Sequence, residues 1–337
     1  ITLFGLTATA SFDVLADVER ELSGNSAFTL DPETTVRYEN TNRLELQYKI
    51  IHVVPEKAHS KWDVFEAKNY LIPTIVQNCH ESLKELLEPE NQKRIRKRFV
   101  ERENITDKAQ VEKIMKEPLG VEVKSDWYRS TENEGAAIVF CPHRNGSLGV
   151  HSSLTSRGVA SSLESTLETH VSRFVGGDDP QEQDDFINGK TNMMVATKAF
   201  GMGIDKTNVR FALNMNHPGS LEDYVQEAGR AGRDRKMALS IILYSDLKFG
   251  EQNPITRIIE TVPVDFGVHK FFFDGNFIGP DFEKMIMYYL MNFQENLAEN
   301  IGSHNNFNSE NNVSGFLSHF ESAKEGDIII SFISYQY

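Results

Sequence analysis

The chain has 337 residues, 39% of them hydrophobic, with a formal net charge of −14 and two cysteines. That length holds one full α/β domain with appendages and an ample core, and no apolar run is long enough for a membrane-spanning helix or a secretory leader. Cys79 and Cys141 cannot staple a chain this long, and they read as small buried apolar side chains of a reduced protein, cytoplasmic (or nucleoid or nuclear) and not secreted.

Residues 1–24 read as a strand and a helix, with Ser11 or Asp13 placed to cap a helix running through Leu22. Residues 46–54, rich in β-branched and apolar side chains, form a strand. Across 56–124, Leu83, Leu86, Leu87, Ile95 and Phe99 recur at helical intervals among many charges, which predicts amphipathic helices. They carry the one dense basic cluster of the chain: Lys93, Arg94, Arg96, Lys97, Arg98 and Arg102. It reads either as a sequence-independent grip on phosphates or as a solvated helix face pairing with Glu88, Glu90, Glu101 and Glu103.

After residue 130 strands and helices alternate, as a doubly wound parallel sheet requires. The pattern predicts a strand at 136–141, a helix at 156–168 and a strand at 171–175. A helix at 181–188, strands at 193–197 and 209–214, a helix at 221–230 and a closing strand at 240–244 follow. Beyond residue 250 the chain holds four basic residues (Arg257, Lys270, Lys284, Lys324) against twelve acidic ones. Such a balance suits a partner surface or a packing lid better than a DNA-reading module. Within this tail Phe282, Met285, Ile286, Tyr289, Leu290 and Phe293 stand at helical spacing, a core-type stripe, and 300–312 reads as a loop.

Two segments carry chemistry. The strand at 193–197 opens into a Gly-x-Gly turn ending in Asp205, and such a strand exit is where α/β sheets place ligands. There the Thr197 hydroxyl and the amides near Gly201 and Gly203 can hold phosphate oxygens, while Asp205 can accept from a ribose hydroxyl or pair with an arginine. The second segment, Gln226-Glu227-Ala228-Gly229-Arg230-Ala231-Gly232-Arg233-Asp234, sets two arginines three apart on small residues. Little bulk stands beside either guanidinium, and a planar, permanently charged fork suits a transferring phosphoryl group.

These residues resemble superfamily 2 helicases of the RecQ-like branch. Ala199 to Lys206 is similar to that branch's motif V, Gln226 to Asp234 to motif VI, and Ile138-Val139-Phe140-Cys141-Pro142 to motif IV. Leu6-Thr7-Ala8-Thr9-Ala10 is similar to motif III, and Arg43-x-x-Leu46-x-Tyr48 to the segment leading into the second motor domain. The resemblance implies an α/β fold with a RecA-like doubly wound parallel sheet. It divides the chain into the end of a first RecA-like domain (1–30), a second one (42–55 and 125–250), a helical insertion (56–124) and an acidic, mainly helical appendage (251–337).

The resemblance also implies an ATP-dependent DNA helicase or translocase using ATP and Mg²⁺. Arg230, Arg233 and Gln226 would form the catalytic cluster, with Gly203 and Asp205 on the ATP side. Arg233 is favoured as the residue facing the γ-phosphate, with Arg230 tying motif VI to the nucleotide or to motif V. Thr7, Ala8 and Thr9 would couple the nucleotide site to DNA. Single-stranded or forked DNA would run over Thr197, Lys198 and Pro142-His143-Arg144; His143 reads equally as a polar loop residue. Residues 56–124 depart from the family, so the grip by Arg94, Arg96, Lys97 and Arg98 rests on their charge pattern alone, with the solvated helix face as its alternative. No Gly-x-x-x-x-Gly-Lys-Ser/Thr loop and no Asp-Glu-x-His motif occurs in the chain. The expectation is therefore a piece of a longer motor, itself unable to turn over ATP. No cysteine follows Cys141, so the zinc module of many RecQ-like enzymes is not expected. Two other readings stand: a catalytically silent module that binds a partner protein through the acidic tail and the helical insertion, and a translocase that moves on duplex without unwinding it.

Overall fold

Successive residues of a strand point to opposite faces, and the central strands here are apolar on both, so a stable sheet must be covered by helices on each side. A computed structural model of the chain describes Arg20 and residues 43–129, 135–200, 206–252 and 259–268. Thr7, Ala8 and Thr9, the turn with Gly203 and Asp205, and the stripe at 281–294 lie outside the described residues.

Six parallel strands form the main sheet: β1 (Leu46–His52), β2 (Ala136–Phe140), β5 (Ser172–Phe174), β6 (Met193–Ala196), β7 (Val209–Asn214) and β8 (Ala238–Tyr244). Their order is β1-β8-β7-β2-β6-β5. The last of these strands in sequence was expected to close the sheet; it instead lies between β1 and β7, and β1 forms the edge. β1 carries Gln47, Lys49 and His52 and so tolerates the edge, whereas the more apolar β8 is buried along nearly its whole length.

One face carries Ala137, Val139, Met193, Val195, Phe211, Leu213, Leu239 and Ile241 in a core shared with α1 (Lys61–Leu87) and α4 (Val159–Leu167). The other carries Ile138, Phe140, Met194, Ala196 and Ala212, packed with Phe186 of α5 (Gln181–Ile187) and Ala228 and Tyr224 of α6 (Leu221–Ala228). This is the doubly wound α/β arrangement. Cys79 and Cys141 are free and buried, and burial pushes the Cys79 thiol up to about 12, so both behave as small apolar groups.

The helical stretch 56–124 divides in two. α1 belongs to the sheet's own cover: Val64, Phe65, Ile72, Val76, Cys79 and Leu83 are buried at helical spacing. Its start is set by Ser60 and Asp63, whose carboxylate accepts the amides of His59 at 2.7 Å and Ser60 at 2.9 Å. In contrast, α2 (Pro89–Arg102) and α3 (Lys108–Lys116) bury no residue fully and lean on α1 and each other through Ile95, Phe99 and Ile114.

The helix expected from 156 begins only at Val159, because serine side chains compete for the backbone. Ser153 Oγ accepts the Ser156 amide at 3.0 Å and Ser152 Oγ accepts the Gly158 amide at 3.1 Å, which fixes a turn. Most of the appendage after 250 lies outside the described residues; those described form an antiparallel pair, β9 (Lys248–Gln252) with β10 (Ile259–Pro263), and helical backbone at 264–268. A short parallel pair, β3 (His143–Asn145) and β4 (Gly149–His151), follows β2.

That helical turn is anchored by a fully buried ion pair. Lys68 Nζ of α1 donates to Asp265 Oδ1 at 2.6 Å, to Asn216 Oδ1 at 3.1 Å and to the Leu243 carbonyl at 3.2 Å, while Asp265 Oδ2 accepts the Ser245 amide at 2.9 Å. Burial pushes Lys68 down and Asp265 up, and their mutual attraction opposes both shifts.

Candidate functional site

The C-terminal ends of β2, β6 and β7 open onto one cavity of about 340 Å³. Pro142 and Cys141 come from the end of β2, Thr197 and Lys198 from the end of β6, Asn214 and Asn216 from β7, and Asp223 and Glu227 from α6. Central parallel strands stop at the same level, so the turns after them converge there. The structure thereby brings together Pro142, Thr197 and Lys198, which the sequence placed on a nucleic-acid track. Thr197 is half-buried, with its amide bonded to the Phe174 carbonyl at 3.2 Å, and Lys198 is exposed.

His143 and Arg144 turn aside. Arg144 reaches across to the turn after β5, donating to Asp178 Oδ1 at 3.0 Å and the Gly176 carbonyl at 3.3 Å, and His151 Nε2 stands 3.2 Å from the other Asp178 oxygen. Half-buried His143 is held below the usual imidazole range by burial and then by nearby Lys61. Of the second basic group, Arg96 is committed: its Nη2 donates to the Glu117 carbonyl at 2.9 Å, tying α2 to the end of α3. Arg94, Lys97 and Arg98 are exposed, Lys97 within 3.7 Å of Glu101.

The two arginines of the 226–234 segment sit differently. α6 starts at Ser220, whose Oγ accepts the Asp223 amide at 3.0 Å, and ends at Ala228, so both arginines fall in the turn that follows. Arg230 is 7% exposed, and its guanidinium is held below the ordinary arginine value by burial and by Arg233, with Glu227 opposing. Arg233 and Gln226 are exposed. Gly232 has φ +68°, and a Cβ there would come within 3.0 Å of Ala238 Cβ, so glycine is the residue that lets this turn close.

Three supports of this turn went unrecognised in the sequence. Asp234 accepts a hydrogen bond from the fully buried Arg210 of β7, which also donates to the Lys236 carbonyl at 3.1 Å and the Thr207 carbonyl at 3.2 Å. A charged residue inside an apolar strand was the available signal, since such a residue is buried only with a partner. Arg43, just before β1, donates from Nη1 to the Gly229 carbonyl at 2.8 Å and from Nη2 to the Gly232 carbonyl at 2.5 Å, with Nε on Glu45 at 2.7 Å. Glu227 accepts from Asn214 inside the cavity, and burial raises its carboxyl to about 7 against the pull of Asn214, Arg230 and Lys198. Its ionisation is thus sensitive to any cation or anion brought beside it.

Residues 109–235 match the family described as helicase conserved C-terminal domain. The chain is 46% identical over 82 residues to the ATP-dependent DNA helicase RecQ of Bacillus subtilis (strain 168), covering 23% of this chain and 14% of that protein. With the ATP-dependent DNA helicase RecQ of Haemophilus influenzae it shares 39% identity over 110 residues, covering 32% of this chain and 17% of that protein. A solved structure of Mss116p DEAD-box helicase domain 2 bound to an RNA duplex superposes with a TM-score of 0.33 at 15% identity, over 60% of this chain and 55% of that one. The chain thus spans less than a fifth of the length of the two RecQ relatives. Residues 109–235, which hold the motifs at these strand ends, are thus similar to the conserved C-terminal helicase domain, and the two RecQ helicases are relatives over part of this chain.

Proposed function

We propose that this chain is the second motor half of an ATP-dependent DNA helicase, in which a first RecA-like domain supplies the phosphate-binding loop and the magnesium ligands. The observation that carries the reading is the turn after α6: two arginines on small residues, one buried beside Glu227 and one exposed, in a loop braced from two sides. Charged forks held in place act on a phosphoryl group without reorganising at the moment of transfer. Arg233, exposed, is the arm that reaches the γ-phosphate, and Arg230 and Gln226 complete the cluster. The cavity with Thr197, Lys198 and Pro142 is the part of the single-strand track this domain contributes, where backbone amides, a hydroxyl and an ammonium contact phosphates without reading sequence. ATP and Mg²⁺ are the cofactors of this reading, and single-stranded or forked DNA its substrate.

The full-length protein tests it. A forked duplex labelled with a fluorophore and quencher should separate with ATP and Mg²⁺ and stay paired with a non-hydrolysable analogue. Hydrolysis with displacement of a third strand but no separation would replace the helicase by a duplex translocase. Neither hydrolysis nor separation would leave a partner-binding module.

The basic face of α2 is a separate question, and Arg96 must be left out of it because its loss would disturb α3. The variant Arg94→Ala, Lys97→Ala, Arg98→Ala is expected to bind single strands with unchanged affinity and salt dependence, since Lys97 already faces Glu101 and the cluster reads as a solvated face. Titration of full-length protein at several salt concentrations checks this. A slope flattened by about 0.7 for each lost contact would put this face in the DNA path instead.

A further inference from the structure

We infer that Arg43 is the positioning residue of the arginine turn, and that it ties the place where the chain enters this domain to the residues that meet ATP. The inference rests on the reading of Arg230 and Arg233 as phosphate-facing groups. Its geometry is independent of that reading.

The two terminal nitrogens of Arg43 bind carbonyls three residues apart, Gly229 at 2.8 Å and Gly232 at 2.5 Å, which bracket Arg230 and Ala231. The third donor, Nε, is fixed on Glu45 at 2.7 Å, so the plane of the guanidinium is set. Helices leave their last carbonyls without partners inside the helix, and Gly229 is the C-cap of α6. A cation at that end also meets the favourable pole of the helix dipole. The fork thus does two things at once: it satisfies the end of α6 and sets the spacing of the turn that follows.

The other braces of the turn come from within the sheet. Gly232 N donates to the Val209 carbonyl at 2.8 Å, and Asp234 is held by Arg210, both from β7. Arg43 alone among these braces comes from the segment that precedes β1, at a sequence separation of 186 and 189 residues from its two acceptors. A shift of that segment, as when two motor domains close, therefore moves the carbonyls on either side of Arg230 directly. Lysine could not substitute: one ammonium on a flexible stem lacks the flat fork that spans two carbonyls.

The test uses the full-length protein and single-stranded DNA. Arg43→Ala should lower kcat for hydrolysis by about 10²-fold, the scale expected when catalytic groups are misplaced by about 1 Å. KM for ATP and DNA affinity should change less than about threefold, because the binding groups remain. Arg43→Lys should resemble Arg43→Ala, and it serves if the alanine variant folds poorly. Hydrogen exchange of the 229–235 amides should rise in both. In an Arg230→Ala, Arg233→Ala background the Arg43 change should cost nothing further, since it acts through those two residues. Full turnover in Arg43→Ala, or an equal and additive loss in that double-variant background, overturns this inference alone. Full turnover in Arg233→Ala overturns the arginine reading and this inference with it.

Discussion

Arg233→Ala in the full-length protein is expected to lower the rate of ATP hydrolysis by about 10³-fold or more while leaving ATP binding nearly unchanged, as loss of an arginine finger does. Arg233 is exposed, so its removal leaves no cavity in the core. The thermal midpoint should therefore stay within a few degrees of the parent, and a rate loss at unchanged stability assigns the effect to chemistry. Arg230 should behave differently. It is buried and acts on Glu227, so Arg230→Ala is expected to lower both turnover and stability, and to leave Glu227 with Lys198 as its remaining cation. Near-normal turnover in an Arg230→Ala, Arg233→Ala double variant would remove phosphoryl chemistry from this turn altogether. Single-turnover hydrolysis with a fluorescent nucleotide competition assay separates the two quantities.

The second large effect concerns stability rather than rate. Lys68→Ala is expected to destabilise the domain by about 3 to 5 kcal/mol, because it strands the carboxylate of Asp265 in a dry site. A domain holds about 5 to 15 kcal/mol in all, so the thermal midpoint should fall by on the order of 10 °C. Replacing both partners by apolar residues should recover only part of this. The Ser245 amide would lose its acceptor at 2.9 Å and the Leu243 carbonyl its donor at 3.2 Å. Differential scanning calorimetry of Lys68→Ala against Lys68→Met, Asp265→Leu measures both terms. A midpoint shift of under about 2 °C for Lys68→Ala would show that water or a rearranged side chain reaches Asp265.

Glu227 connects the cavity to the arginine turn. Its carboxyl is raised to about 7, so the folded state favours the protonated form and the ionised form is held at a cost. That contribution to stability is present at acid pH and is lost as pH rises from the ordinary glutamate range through about 7. Lys198, which lines the same cavity, and Arg230 both favour its ionised form, so a phosphate seated on Lys198 would compete with it for that cation.

Periodicity and residue type were enough to place the central strands. Residues 136–140 and 193–196 are continuous apolar runs between turn residues, and 209–214 is one interrupted by Arg210 and closed by Asn214; such runs read as strands covered on both faces. The close spacing of the two arginines in the 226–234 segment was equally visible, since Gly-Arg-Ala-Gly-Arg is a local pattern. What the sequence could not decide was every feature that depends on residues far apart in the chain. Arg96 turned away from the cluster it was grouped with, because Glu117 offered a carbonyl 21 residues on. Arg144 was captured by Asp178, and Arg43 found its acceptors 186 and 189 residues away. Local composition determines what a segment can form, because propensity and periodicity act within a few residues. Which buried charge meets which partner is decided only when the strands are ordered β1-β8-β7-β2-β6-β5, since that order, and not proximity in sequence, brings the entry segment against the arginine turn.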